Sequence, residues 1–249
     1  MTALALPTPR PFPRWLADSP PMGAATLLWA ALLPPLALLA LLPAEVGGER
    51  AWLKPLKFDL AFLVWSATLA YAARHLPAGL RASPRFRLFG WSVLAAMALE
   101  MAWIGGAAAA LQKSHYNTTV PLLVWVSPAM GLLAAWLTGS ALVWGVALLR
   151  APRRTDWTRT LGLSMVATFA LTLPVAFTLS GMEPPANGLP LLGWTFGMGD
   201  LRPAHFAATH AMQAVPLAAL ALGAHHGPAL TALWAALAFA LAALGLGLI

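Results

Sequence analysis

The sequence predicts an all-α protein, a polytopic membrane bundle of seven transmembrane helices. Of its 249 residues, 60% are hydrophobic and only 9% are charged, and the mean hydropathy is +0.74. A soluble helical domain carries far more charge than this. The chain also contains apolar runs of about 20 residues, each long enough to cross roughly 30 Å of hydrocarbon at about 1.5 Å per residue.

Seven such runs divide the chain into a short cytoplasmic tail at 1–21 and a single transmembrane domain at 22–249. The predicted spans lie at about 22–43, 56–74, 88–111, 122–149, 158–180, 203–223 and 228–249. The connections between them are short, apart from a loop at about 181–202, so we expect no separate soluble domain.

The distribution of lysine and arginine predicts the orientation of the bundle, because cytoplasmic flanks of membrane helices carry an excess of basic residues. One side holds Arg10, Arg14, Arg74, Arg81, Arg85, Arg87, Arg150, Arg153, Arg154 and Arg159, and the other holds Arg50, Lys54, Lys57, Lys113 and Arg202. Ten residues against five place the N-terminus in the cytoplasm and the C-terminus outside. We therefore expect a multi-pass protein of the bacterial inner (cytoplasmic) membrane, in contact with membrane lipids.

The composition also excludes several classes of function. The chain has no cysteine, which rules out disulfides, thiolate metal sites, iron–sulfur clusters and cysteine nucleophiles. The pI of about 11.1 does not indicate a nucleic acid as partner, because the basic residues flank the spans as topology alone requires. The N-terminal segment lacks the pattern of a cleaved signal peptide.

The first two spans differ in polar content. The first contains Trp29 and a kink-forming Pro34-Pro35 pair but no ionisable side chain, so we expect it to serve packing. The stretch that leads into the second holds Lys54 and Lys57, which share one helical face because they are three residues apart. These lysines either extend to lipid headgroups or form an anion-binding pair at the rim of a cavity.

The third span carries Glu100 near its middle, where an ionised side chain is costly unless it is paired, protonated or hydrated. Glu100 is either a protonated carboxyl bonded to a neighbouring helix or a proton carrier or metal ligand. His115 and Asn117 follow on the outer side, and Asp59 lies in the outer half of the second span. The fourth and fifth spans hold no acid, base or histidine in their interiors and are predicted to be scaffold, and the seventh has no polar side chain beyond Thr231.

A polar stripe on the sixth span is the strongest indication of a site. On a straight helix Arg202, His205, Thr209, His210 and Gln213 fall on one arc of about 140°. Polar and ionisable groups in such an apolar setting face a protein interior or a hydrated cavity. We therefore expect this stripe to face inward.

The leading hypothesis is a metal-dependent hydrolase that acts on a lipid or a small anionic substrate at the outer leaflet. His115, His205 and His210 are predicted to bind a divalent metal ion, zinc or iron, with water completing the site. Because His205 and His210 are five residues apart, their binding of one ion requires a bulge in the helix. Glu100 and Asp200 are the predicted catalytic acids. The predicted substrate-binding residues are Lys54, Lys57, Asn117, Arg202 and Gln213.

Two alternatives stay open at this point. One is a proton-coupled transporter or solute-binding membrane protein, in which Glu100 carries the proton and no metal is bound. The other is a redox protein that binds haem b, with His115 or His205 as an axial ligand. The oligomeric state is left open.

Three motifs carry a family resemblance. They are W-x-K-P-x-K-F at Trp52–Phe58, S-H-[FY]-N at Ser114–Asn117 and G-D-L-R-x-x-H-F-x-x-x-H at Gly199–His210. With these motifs the chain resembles a group of bacterial multi-pass membrane proteins, over most of the stretch from Trp52 to Gln213. The resemblance implies a membrane-embedded fold and no particular reaction.

Overall fold

A computed structural model describes residues 14–115, 117–118, 120–183, 185, 188–189 and 191–249. Over these residues the protein is an all-α bundle with one small β-hairpin. The helices are α1 (Pro20–Leu39), α2 (Leu53–Ala73), α3 (Ala78–Ala82), α4 (Pro84–Ala109), α5 (Pro121–Leu149), α6 (Asp156–Ser180), α7 (Arg202–Thr209), α8 (Ala211–Leu222) and α9 (Gly227–Gly245). The hairpin strands are β1 (Glu45–Val46) and β2 (Glu49–Arg50).

Six helices within the described part of the chain are long and apolar enough to cross a membrane. They are α1, α2, α4, α5, α6 and α9, the last extended by the 3-10 turn Ala224–His226. Large apolar side chains project from their outer faces, among them Trp125 at 81% exposure and Phe239 at 66%. A water-soluble protein does not leave such a surface uncovered, so the protein is an integral membrane protein with several spans.

The beginning of the chain differs from the prediction in its boundaries. The first span ends at Leu39 rather than at residue 43, and the hairpin follows, with Glu45 paired to Arg50 and Val46 to Glu49. Gly47 and Gly48 form its turn at φ of +62° and +82°, a conformation that favours glycine. Residues 1–13 of the predicted tail lie outside the described residues, and Arg14–Asp18 forms a 3-10 turn.

The predicted continuous sixth span is divided into two helices. α7 covers eight residues, α8 covers twelve, and His210 separates them. The straight-helix arc drawn for this segment therefore does not apply beyond Thr209. Taken together, residues 202–222 still cover a length typical of one membrane crossing.

Side chains from neighbouring helices bind the backbone groups that the break releases. The N–H of Met212 donates to Thr168 Oγ1 of α6 at 2.8 Å, and Trp234 Nε1 of α9 donates to the carbonyl of Ala207 at 2.7 Å. In a continuous helix these groups would pair with Ala208 and Ala211, following the i to i−4 pattern. Because an unpaired backbone group is costly inside a membrane, these two contacts stabilise the break.

The bundle core lies where α1, α2, α4, α5 and α6 meet. Trp144 of α5 is fully buried, and its Nε1 donates to the carbonyl of Leu69 in α2 at 3.0 Å. α5 and α6 approach closely at Gly145 and Gly162, since a Cβ on Gly145 would lie 2.8 Å from the carbonyl oxygen of Gly162. Small residues at such crossings are typical of membrane helix packing.

Candidate functional site

The first part of the site is a group of polar side chains from the start of α2, the second half of α4 and the loop after it. We call it the outer cluster, after the side of the membrane predicted for it: Lys54, Glu100, Ser114 and His115. α2 begins at Leu53 and so places Lys54 in its first turn, while α4 ends at Ala109 and returns His115 towards α2. Trp103 Nε1 of α4 donates to the Ser114 carbonyl at 2.9 Å and holds the loop in place.

His115 accepts a hydrogen bond from a lysine. Lys54 Nζ lies 3.0 Å from His115 Nδ1, and Ser114 Oγ lies 3.0 Å from the same nitrogen. Burial lowers the pKa of His115 to about 3, with the Lys54 charge contributing to the shift. The imidazole is therefore neutral near pH 7, with Nδ1 accepting from the ammonium and the ring proton on Nε2.

Glu100 lies in the interior of α4 below these groups. It is 3% exposed, and its Oε1 has no hydrogen-bond partner among the residues described. Lys54 is within electrostatic range of its carboxyl group, but the two form no ion pair at 4.0 Å or less. Lys54 is thus the cation shared by His115 and Glu100.

Asp59 is the second acid inside a membrane helix. It lies on α2 with an exposure of 0%, and both of its carboxylate oxygens lack a partner within the described ranges. An isolated ionised carboxylate in such a place costs several kcal/mol or more. Asp59 is therefore stable there as a neutral acid or when a mobile partner reaches it.

Asp200 and Arg202 form a bidentate ion pair at the start of α7. Arg202 Nε lies 2.8 Å from Asp200 Oδ1 and Nη2 lies 2.9 Å from Oδ2, while Thr195 donates its N–H and hydroxyl to Oδ2. Burial acts to raise the pKa of Asp200, but the hydrogen bonds from Arg202 and Thr195 outweigh it and hold the pKa below its ordinary value. With these contacts Asp200 is suited to position Arg202, and its catalytic role stays a prediction.

Glu49 forms an ion pair with Lys57 and lies near Arg202, and sequence reasoning missed it. Its Oε2 lies 3.7 Å from Lys57 Nζ. A Cβ placed on Gly193 would lie 2.7 Å from Glu49 Oε1 and 3.3 Å from Arg202 Nη1. Lys54 and Lys57, predicted to act as one pair, therefore point to different acceptors, His115 and Glu49 respectively.

The α7–α8 pair, which we call the broken helix, carries His205, His210 and Gln213. Gln213 Nε2 donates to Thr68 Oγ1 of α2 at 3.1 Å, and its buried side chain is also in hydrogen-bonding contact with His210. The ring of His210 lies 4.3 Å from that of Phe206, and His205 is within electrostatic range of His210. The broken helix thus brings a polar group to α2, at some distance along the helix from Lys54.

Asn117 orders its own loop. Its Nδ2 donates to Gln112 Oε1 and to the Lys113 carbonyl, both at 3.2 Å, and its Oδ1 accepts from the N–H of Val120 at 2.9 Å. It also lines a cleft of about 430 Å³ between the hairpin and the α4–α5 loop. Its motif neighbour Tyr116 lies outside the described residues.

The structure does not gather the predicted metal ligands. Within the described ranges, no three side chains of the histidine, aspartate and glutamate type come close enough together to hold a metal ion. His115 binds Lys54 in the outer cluster, whereas His205 and His210 lie on the broken helix. The zinc, iron and haem b hypotheses stay predictions.

A row of buried hydroxyls on α6 was also missed, because the fifth span was expected to be scaffold. Its members are exposed by 3% or less and repeat every four residues: Thr160, Ser164, Thr168 and Thr172. Thr172 Oγ1 lies 3.4 Å from Thr209 Oγ1, Thr168 binds the break, and Thr160 Oγ1 donates to the Ala224 carbonyl at 2.9 Å. The four-residue spacing was the available signal, since it places all four on one helical face.

Comparison with known proteins returns nothing similar: no family model, no curated protein and no solved structure matches the chain. The geometry of the chain itself is therefore the basis for inferring its function.

Proposed function

We propose that the protein is a proton-coupled transporter of small anionic solutes in the bacterial inner membrane. The observation that carries this proposal is the burial of Asp59 and Glu100 inside membrane helices, at 0% and 3% exposure, with carboxylate oxygens that lack partners among the described residues. Intramembrane acids of this kind are typical of proton pathways.

The outer cluster couples proton uptake to anion binding. Lys54 donates to neutral His115 at the outer end and lies within electrostatic range of Glu100 at the inner end. A proton taken up by Glu100 removes the negative charge that Lys54 faces, so the lysine becomes available to an external anion. Proton uptake and anion binding then favour each other, as coupling requires.

The broken helix supports a transporter more than an enzyme. Transporters commonly place discontinuous helices at their solute sites, where polar backbone and side-chain groups line a cavity. Here the break at His210 is stabilised from α6 and α9, and the adjacent Gln213 brings a buried amide beside His210 and Thr68. We expect this group of polar side chains to bind the solute or its water.

The proposed topology has seven crossings, with the N-terminus in the cytoplasm and the C-terminus outside. Contacts at both ends of α7 and α8 support a full crossing by this pair. Thr160, near the start of α6, binds Ala224, and the N–H of Gly199 donates to the carbonyl of Gly245, at the end of α9, at 2.8 Å. The end of α8 therefore lies near the start of α6, and the start of α7 lies near the end of α9. These two contacts are at opposite ends of the bundle.

The test is proton movement in proteoliposomes that contain a pH-sensitive dye. We expect inorganic phosphate or succinate, added outside, to drive proton entry with the wild-type protein. Asp59→Asn and Glu100→Gln should each reduce the rate at least tenfold, while Glu183→Gln, at a surface acid paired with Lys113, should leave it unchanged. Equal rates in all four proteins would contradict the proposal.

Elemental analysis and an absorption spectrum of the same preparation separate the other hypotheses. A protein active without stoichiometric metal or a Soret band supports transport. Stoichiometric zinc or iron that is lost in His115→Ala, His205→Ala and His210→Ala would instead favour the metal hydrolase, and a Soret band would favour haem b.

A further inference from the structure

The carboxylate of Glu49 lies among three basic side chains. Lys57 Nζ is 3.7 Å from its Oε2, Arg202 Nη1 and Glu49 Oε1 both lie beside Gly193, and Lys54 is within electrostatic range. These cations come from the start of α2 and the start of α7; Lys57 forms the ion pair with Glu49, whereas Arg202 is paired with Asp200. Several basic side chains around one carboxylate are typical of an anion-binding site.

Arg202 is positioned in advance for an anion. Asp200 binds its Nε and Nη2, which fixes the plane of the guanidinium. Nη1 makes no hydrogen bond to another described residue and faces the space beside Gly193 that it shares with Glu49. A planar guanidinium held in this way recognises carboxylate and phosphate groups with little loss of side-chain entropy.

Glu49 is held weakly enough to be displaced. The side chains of Glu49 and Lys57 are 48% and 36% exposed, and ion pairs this exposed contribute little to stability. The hairpin that carries Glu49 has two residues in each strand and a Gly47-Gly48 turn. A two-stranded hairpin of this size has little stability of its own.

We propose that Glu49 occupies the place of a ligand's anionic group, a carboxylate or phosphate, and that the ligand binds Lys57, Arg202 and Lys54 by displacing the hairpin. The inference rests on the proposed function in that it names the chemistry of the solute and the first site it reaches. Glu49 then acts as an intramolecular competitor, which occupies the cationic site until the anion is concentrated enough to displace it.

The test is calorimetric titration of the detergent-purified protein with inorganic phosphate and with succinate. Glu49→Gln removes the competing charge and keeps the side-chain shape, so we expect at least one of these probes to bind about tenfold more tightly than to the wild type. Glu45→Gln is the matched control, because Glu45 lies in the same hairpin, is exposed and forms no ion pair among the residues described.

A second substitution identifies the site. Adding Lys57→Met to Glu49→Gln should abolish the gain in affinity, because the variant lacks a cation that the anion would use. The proposal is overturned if Glu49→Gln binds neither probe nor lipid phosphate more tightly than Glu45→Gln does, or if the double variant keeps the gain.

The source of the anion is distinguished in lipid nanodiscs. If Glu49→Gln tightens binding of dissolved phosphate or succinate, the ligand is a free solute. If instead it enriches phosphatidylglycerol over phosphatidylcholine around the protein, with no effect on dissolved anions, the ligand is a lipid phosphate. Because binding is measured here without a proton gradient, unchanged proton rates in Asp59→Asn and Glu100→Gln would overturn the transport proposal and leave this inference intact.

Discussion

His115 is a neutral hydrogen-bond acceptor, and the positive charge of the pair lies on its neighbour Lys54. The ammonium of Lys54 donates to Nδ1, and Phe58 stacks on the ring with centroids 6.4 Å apart. A second positive charge on the imidazole would face the lysine at hydrogen-bonding distance. The pair is therefore stable with one proton on Lys54 and one on His115 Nε2, and acidification acts against it.

The stability of the protein should consequently fall as the pH is lowered below about 6.5. The pKa of His115 is about 3 in the folded protein and 6.5 as a reference value, so between these values the unfolded chain binds a proton that the folded chain does not. At pH 5 this difference costs about 2 kcal/mol relative to pH 8. We expect the thermal midpoint of His115→Asn in detergent to fall less over this range than that of the wild type.

A matched control is His226→Asn, at an exposed histidine in the turn before α9. Its midpoints should follow those of the wild type at every pH. Parallel curves for His115→Asn and the wild type would show that His115 titrates alike in the folded and unfolded protein, and the assignment of the neutral imidazole would be wrong.

Individual polar residues were easier to predict from the sequence than their partners. Lys54, Glu100, His115 and Arg202 stand out because ionisable side chains are rare in this chain. Their grouping depends on helix order and loop geometry, which spacing does not contain. Glu49 was missed for this reason, since it meets Lys57 and approaches Arg202 only because the hairpin brings it between α2 and α7.

The broken helix is the element whose form was least visible in the sequence. Neither proline nor glycine occurs between Ala204 and Val215, so no local signal marks the break at His210. Its cause lies in other elements, because Thr168 of α6 and Trp234 of α9 bind the backbone groups that the break exposes. A local pattern cannot report contacts with residues tens of positions away.

Thr168→Val tests whether α6 stabilises the break. The substitution is close in shape but leaves the N–H of Met212 buried without its acceptor, which should cost about 1–3 kcal/mol. Thr178→Val is the control, because Thr178 is exposed on the same helix and donates only to the Pro174 carbonyl of its own turn. Equilibrium unfolding in detergent and sodium dodecyl sulfate measures both. Equal losses would mean that the break persists without the contact from α6.

At the scale of the whole molecule, the class of fold followed from composition and the length of apolar runs alone. Hydrocarbon solvent admits few architectures, so the prediction of an all-α membrane bundle needed no long-range information. The number of crossings is harder to predict from the sequence, because the α7–α8 pair has the length of a span but is not one continuous helix.

Single cysteines test the seven-crossing topology, since the chain contains none of its own. In intact spheroplasts we expect a membrane-impermeant maleimide to label Glu45→Cys and Leu248→Cys, and to label Arg153→Cys only after permeabilisation. Labelling of Leu248→Cys only after permeabilisation would mean that α7 and α8 together do not cross the membrane, and the orientation of α9 would be reversed.

The contact between Gly199 and Gly245 also sets an order of assembly. The N–H of Gly199 donates to the Gly245 carbonyl, and a Cβ on Gly245 would lie 2.6 Å from the carbonyl oxygen of Asp200. Because the chain is synthesised from its N-terminus, this contact forms only after the ribosome has delivered α9 to the membrane. We therefore expect the loop before Arg202 to reach its final form late in insertion.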